Sequence, residues 1–147
     1  MTSYIGVFKV QLVREGSFPY ADRQIRSADD AADILAGYLV GVDREHFVVL
    51  TLDTKHKVTG IHTVSVGSLD ATIVHPREVY KPAVLAGASG IIVGHNHPSG
   101  DPTPSSEDIA VTKRLKEAGT LLGIDFLDHV IVGSQGRYTS LKAEGKC

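Results

Sequence analysis

The order of apolar and polar positions divides the chain into strand-like and helix-like stretches. Tyr4 to Arg14 (YIGVFKVQLVR) alternates loosely and is rich in β-branched and aromatic residues, which predicts a strand followed by a Gly/Ser/Pro-containing loop. At Ser27 the period changes. A Ser before Ala28, Asp29 and Asp30 makes a good N-cap with negative charge in the first turn. Ala31, Ile34, Leu35, Tyr38 and Leu39 then recur at helical spacing up to Gly41. Glu45 to Asp53 (EHFVVLTLD) reads as a strand buried on both faces over much of its length, and Lys55-His56-Lys57 turns it into a second strand over Val58 to Val66.

From His75 the pattern is helical again, with Pro76 in the first turn and Val79, Ala83, Val84 and Ala86 on an apolar side until Gly87 or Gly90. Gly90 to Gly94 (GIIVG) is a short apolar strand. The three prolines and one glycine between His95 and Pro104 predict a loop at its C-terminal end. Ser105 followed by Asp108 fits a variant capping box opening a helix to about Leu122, and Phe126 to Val132 and Tyr138 to Leu141 close the chain as strands. This alternation predicts an α/β fold, a mixed central β-sheet flanked by helices. Residues 1–26 are expected to form a strand and loop packed on a domain spanning 27–147.

Composition narrows the class. The chain has 147 residues, 42% hydrophobic and 22% charged, which is ordinary globular usage and fits one core. No apolar run approaches the roughly 18 residues of a membrane span. Met1 to Lys9 lacks the basic and apolar regions of a secretory signal, so a cytoplasmic protein is expected. The single cysteine, Cys147, rules out an internal disulfide and a cysteine-rich zinc site. Fifteen Lys and Arg against 17 Asp and Glu give a formal net charge of −2, so charge gives no support to direct nucleic-acid binding.

Candidate chemistry centres on two histidines. His95 and His97 stand one residue apart at the end of a buried strand, and Pro98 restricts His97 to extended geometry. Two imidazoles can then face one centre, while Asp108, in the first turn of the next helix, could fold back as a third ligand. Two neutral imidazoles and a carboxylate leave a fourth position open to water, the arrangement of a catalytic zinc site. The plainer reading is a polar loop beside a helix-terminal charge. Asn96, between the two, points away by alternation and braces the loop. His46, His56, His62 and His75 have no partners at metal-ligand spacing.

The string Gly94-His95-Asn96-His97-Pro98-Ser99-Gly100-Asp101, then Pro104-Ser105-Ser106-Glu107-Asp108, resembles the JAMM motif of MPN-domain metalloproteases. It is more closely similar to the RadC family, whose members carry HNHPSG followed by PS-x-x-D. Asp43-Arg44-Glu45, Leu52-Asp53-Thr54-Lys55, His75-Pro76-Arg77-Glu78-Val79 and Asp128-His129-Val130-Ile131-Val132-Gly133 extend the resemblance from about Ser27 to Leu141. It implies an MPN (JAB), cytidine-deaminase-like architecture and one zinc ion held by His95, His97 and Asp108. It also implies Glu45 as general base and Ser105 as a donor to the oxyanion. Without the resemblance, Glu45 is a solvated strand-start charge and Ser105 an N-cap. Asp128 and His129 recur in the family pattern with a structural or supporting role.

The function implied is hydrolysis of an amide bond, with a peptide or isopeptide-linked protein as substrate. RadC relatives have been labelled DNA repair proteins, and longer ones begin with a helix-hairpin-helix module. The β patterning of the opening 26 residues departs from that, so a repair role would run through partners. A nuclease would want more carboxylates for hard metals, and a zinc nucleobase deaminase needs cysteines this chain lacks. A zinc-bearing scaffold without turnover is the remaining alternative.

Overall fold

In the computed structural model, residues 1–67 and 74–147 are described. The elements run α1 (Ala28–Tyr38), β1 (His46–Leu52), β2 (Val58–Val66), α2 (Pro76–Leu85), β3 (Gly90–Asn96), α3 (Ser106–Leu122), β4 (Asp125–Val132) and β5 (Tyr138–Ser140). The strands form one sheet in the order β2-β1-β3-β4-β5. It is mixed because β3 and β4, joined through α3, run parallel, while the other neighbours are antiparallel. The β1–β2 hairpin turns where Asp53 Oδ1 accepts the N–H groups of Lys55 (2.9 Å) and Lys57 (3.0 Å).

Strand alternation sorts the core into two layers. Val48, Leu50 and Leu52 of β1, Ile92 of β3, and Val130 and Val132 of β4 face α1, where Ala31, Ile34 and Leu35 meet them. Phe47, Val49, Ile91 and Val93 face the other way, onto Val79, Tyr80 and Ala83 of α2 and Val111 and Leu115 of α3. Burying each such Val, Leu, Ile or Phe contributes about 1.5 to 3 kcal/mol. Position 94 has to be glycine: a Cβ there would stand 2.4 Å from Leu35 Cδ1 and 3.1 Å from the Val130 carbonyl. Hence α1 lies close against the end of β3 that leads to the histidines.

Two expectations need correction. The strand predicted over Tyr4 to Arg14 does not form; the stretch pairs with no strand, and Tyr4, Ile5, Val7, Phe8, Val10 and Val13 are 73 to 98% exposed. Strand propensity records fitness for a pleated, packed surface, and here no surface is offered. Residues 1–26 meet the domain near their end, where Ile25 is buried in the α1 layer with Phe18 beside it, the Gln24 amide donates to the Lys55 carbonyl, and the backbone of Arg23 and Ile25 is bonded to Val58 and His56 (both 2.9 Å). Second, β3 continues two residues past Gly94, so His95 lies within the strand. Among the described residues no helix is long and apolar enough to cross a membrane.

Candidate metal centre

His95 is wholly buried near the end of β3, on the α2/α3 side of the sheet, its ring stacked 5.9 Å from Phe47. His97 lies two residues on, just past the strand, and its N–H continues the ladder by donating to the Val132 carbonyl (3.0 Å). The chain then turns sharply, Gly100 donating back to the His97 carbonyl (2.9 Å). Gly100 has φ +87°, and a Cβ there would meet Ser134 Oγ at 2.7 Å. Its carbonyl accepts from Ser134 N–H (2.9 Å) and from the Arg137 guanidinium (2.7 Å). The β4–β5 turn therefore pins the histidine loop.

The third group arrives on α3. Ser105 is the N-cap, its hydroxyl accepting the Asp108 N–H (3.1 Å), while Asp108 Oδ2 accepts the Ser105 N–H (2.8 Å). That capping box fixes the Asp108 carboxylate, which is 2% exposed, and turns it back toward β3. His95 Nε2 lies 3.1 Å from Asp108 Oδ1 and 3.1 Å from His97 Nε2, and His97 Nε2 lies 3.2 Å from Asp108 Oδ2. Each imidazole nitrogen faces a different carboxylate oxygen, and one ligand atom from each residue lies within 4.8 Å of the others, close enough for the three side chains to close on one ion. Two imidazole nitrogens and a carboxylate suit a borderline ion such as zinc. Among the described residues this is the one cluster able to hold a metal. The His97 side chain, 14% exposed against 0% for His95, marks the open side.

Hydrogen bonds orient the three side chains. His97 Nδ1 donates to the Asp101 carbonyl (2.8 Å), a bond that leaves Nε2 bare toward the centre. Burial pushes the Asp108 carboxyl up, but the neighbouring His95 and the Ser105 N–H outweigh it and hold the group below the ordinary carboxylate range. A second buried histidine stands behind the first: His129, on β4, has Nε2 2.8 Å from His95 Nδ1 and Nδ1 2.6 Å from Thr112 Oγ1. Burial, with the neighbouring His95 charge, holds His129 well below its ordinary range.

Glu45 immediately precedes β1 and is half-buried. Phe47 pairs with His95 across the β1–β3 ladder, and carrying that register two residues further sets Glu45 across from His97. Asn96 points away from the cluster, and its amide clasps the approach to β1. Its Oδ1 accepts the His46 N–H (2.8 Å) and its Nδ2 donates to the Arg44 carbonyl (3.0 Å). The sequence had signalled a brace here, but not that its target is the segment carrying Glu45. Asp128 serves the C-terminal turn, accepting from Ser140 Oγ (2.6 Å), Lys142 N–H (3.0 Å) and His129 N–H (2.7 Å). Thr112 was not singled out by the sequence, although its place four residues after Asp108 puts both on one helix face.

A model of the RadC-like JAB domain matches residues 25–146. The chain is 52% identical over 129 residues to a UPF0758 protein of Moorella thermoacetica, an alignment covering 88% of this chain and 56% of that one. It is 53% identical over 123 residues to a UPF0758 protein of Methanococcoides burtonii, covering 84% and 53%. A UPF0758 protein of Bacillus licheniformis is 53% identical over 121 residues, covering 82% and 54%. The chain thus spans about half the length of the curated relatives it matches. A mixed five-stranded sheet between helices, the His95–His97–Asp108 cluster and these matches together place the chain in the RadC-like JAB domain family.

Proposed function

We propose that the chain is a zinc-dependent hydrolase acting on amide bonds, with peptides or isopeptide-linked proteins as its substrate class. The observation that carries the reading is the convergence of His95 Nε2, His97 Nε2 and an Asp108 carboxylate held by its own capping box. Zinc held there would polarise a carbonyl and make a water far more acidic than in bulk. Glu45, at the mouth of β1 across from His97, is the proton acceptor for the attacking water and the donor to the departing amine. Ser105 has its oxygen engaged as acceptor from the Asp108 N–H, so its hydroxyl proton is the one to bond a developing oxyanion. The N-terminus of α3 adds positive partial charge on the same side.

The test is a screen of peptide, isopeptide and nucleic-acid substrates with and without a chelator, run on the parent chain and Glu45→Gln. Chelator-sensitive amide cleavage is expected, with Glu45→Gln slower by about 10² to 10⁴ and its zinc content unchanged. Full activity in Glu45→Gln would remove the proposed base. Loss of zinc in that variant would make Glu45 a ligand.

A further inference from the structure

We propose that His129 and Thr112 are positioning residues that lock His95 in the one tautomer able to bind metal, through a buried hydrogen-bond chain that starts at the carbonyl of Asp108. The proposal rests on the reading of His95, His97 and Asp108 as a metal site. Proton bookkeeping along the chain carries it. The Thr112 hydroxyl lies 2.8 Å from the Asp108 carbonyl and 2.6 Å from His129 Nδ1. A carbonyl can only accept, so the single hydroxyl proton satisfies that contact, and Thr112 Oγ1 meets His129 as an acceptor. His129 Nδ1 therefore carries the proton. A neutral imidazole with Nδ1–H has a bare Nε2, which lies 2.8 Å from His95 Nδ1 and accepts from it. With its proton on Nδ1, His95 keeps the Nε2 lone pair for the centre where His97 and Asp108 converge.

The reverse arrangement costs the Thr112–Asp108 bond and turns a proton onto the metal position. Were Thr112 to donate to His129, the carbonyl contact would lose its proton, His129 would donate from Nε2, and His95 would carry its proton on Nε2, aimed at the metal position. Every member of the chain is buried: His95 and His129 are fully enclosed, and Thr112 is 1% and Asp108 2% exposed. Water is thus not at hand to substitute for a missing partner, and the order that keeps the Thr112–Asp108 bond is favoured. Phe47 confines both rings, its own ring 5.9 Å from His95 and 5.6 Å from His129. One residue, Asp108, thereby supplies a ligand with its carboxylate and, through its backbone carbonyl, sets the protonation of another. His97 has a separate arrangement, its Nδ1 donating to Asp101. Hence the chain acts on His95 alone.

The experiment combines nitrogen-15 histidine spectra of the parent chain, metal-free and zinc-loaded, with zinc affinities measured by chelator competition. In the parent, His129 is expected to hold its proton on Nδ1 in both states. A His129 protonated on Nε2 would overturn the proposal without any variant having to fold. His129→Leu should weaken zinc binding by about 10- to 100-fold, the usual cost of losing a partner behind a ligating histidine. His129→Gln, whose amide oxygen can accept from His95 in place of the ring nitrogen, should recover most of that loss. An affinity of His129→Leu within roughly twofold of the parent, or no recovery in His129→Gln, would show that the acceptor does not position His95. A parent chain that takes up no zinc would bring down the metal reading itself and this proposal with it. A parent that binds zinc tightly while His129→Leu does too would bring down the proposal alone.

Discussion

At the scale of single residues, Asp108 does two jobs that substitutions can separate. Its carboxylate faces both imidazoles and also closes the capping box with the Ser105 N–H. Asp108→Ala should lose zinc and destabilise the metal-free chain by about 1 kcal/mol, since the first turn of α3 loses its reciprocal bond. Asp108→Asn keeps an oxygen for Ser105, so zinc loss should persist with a smaller change in metal-free stability. Metal analysis beside denaturant unfolding of the chelated proteins checks the pair, and equal destabilisation by both would contradict the dual role. The cluster of His95, His97 and Asp108 was legible in the sequence, because His-x-His at a strand end and an acid in the first helical turn each have a local signature. From the sequence His129 reads only as a structural or supporting residue; its contact with His95 was not legible, for that partner lies 34 residues earlier and only the β3–β4 register brings the two rings together.

At the scale of elements, the seam between β1 and β3 joins the proposed base to the proposed metal ligands. Phe47 and His95 face each other across it, and Asn96 ties the segment from Arg44 to His46 to the same strand end. Asn96→Ala would leave a backbone N–H and a carbonyl without that amide, at a cost of about 1 to 3 kcal/mol. Because the ligands stay in place, zinc content should not change, while amide cleavage should slow by up to about 10² as Glu45 loses its register. Unchanged turnover in a folded Asn96→Ala would separate the clasp from catalysis. Strands and helices between Ser27 and Ser140 were readable because period, caps and glycines agree there. Tyr4 to Arg14 shows the limit, since alternation without a neighbouring edge records propensity and not pairing. His95 shows another: prolines after it suggested a loop, but ladder bonds to β1 and β4 hold it in the strand.

At the scale of the whole molecule, the cluster is a clasp between β3 and α3, with β4 behind it, so an ion there would brace the α2/α3 layer against the sheet. A ligand that binds the folded chain at 100 times its dissociation constant adds about 2.7 kcal/mol of stability. For a chain of this length that is a fall of roughly 5 to 10 °C in Tm on chelation. Scanning calorimetry with and without chelator checks it, and an unchanged Tm would mean that no ion links these elements. The most direct measurement is the metal content of the chain purified without added metal, then reconstituted with zinc. The arrangement of His95, His97 and Asp108 predicts about one zinc per chain, lost in Asp108→Ala. A parent chain that holds no stoichiometric zinc after reconstitution would contradict it.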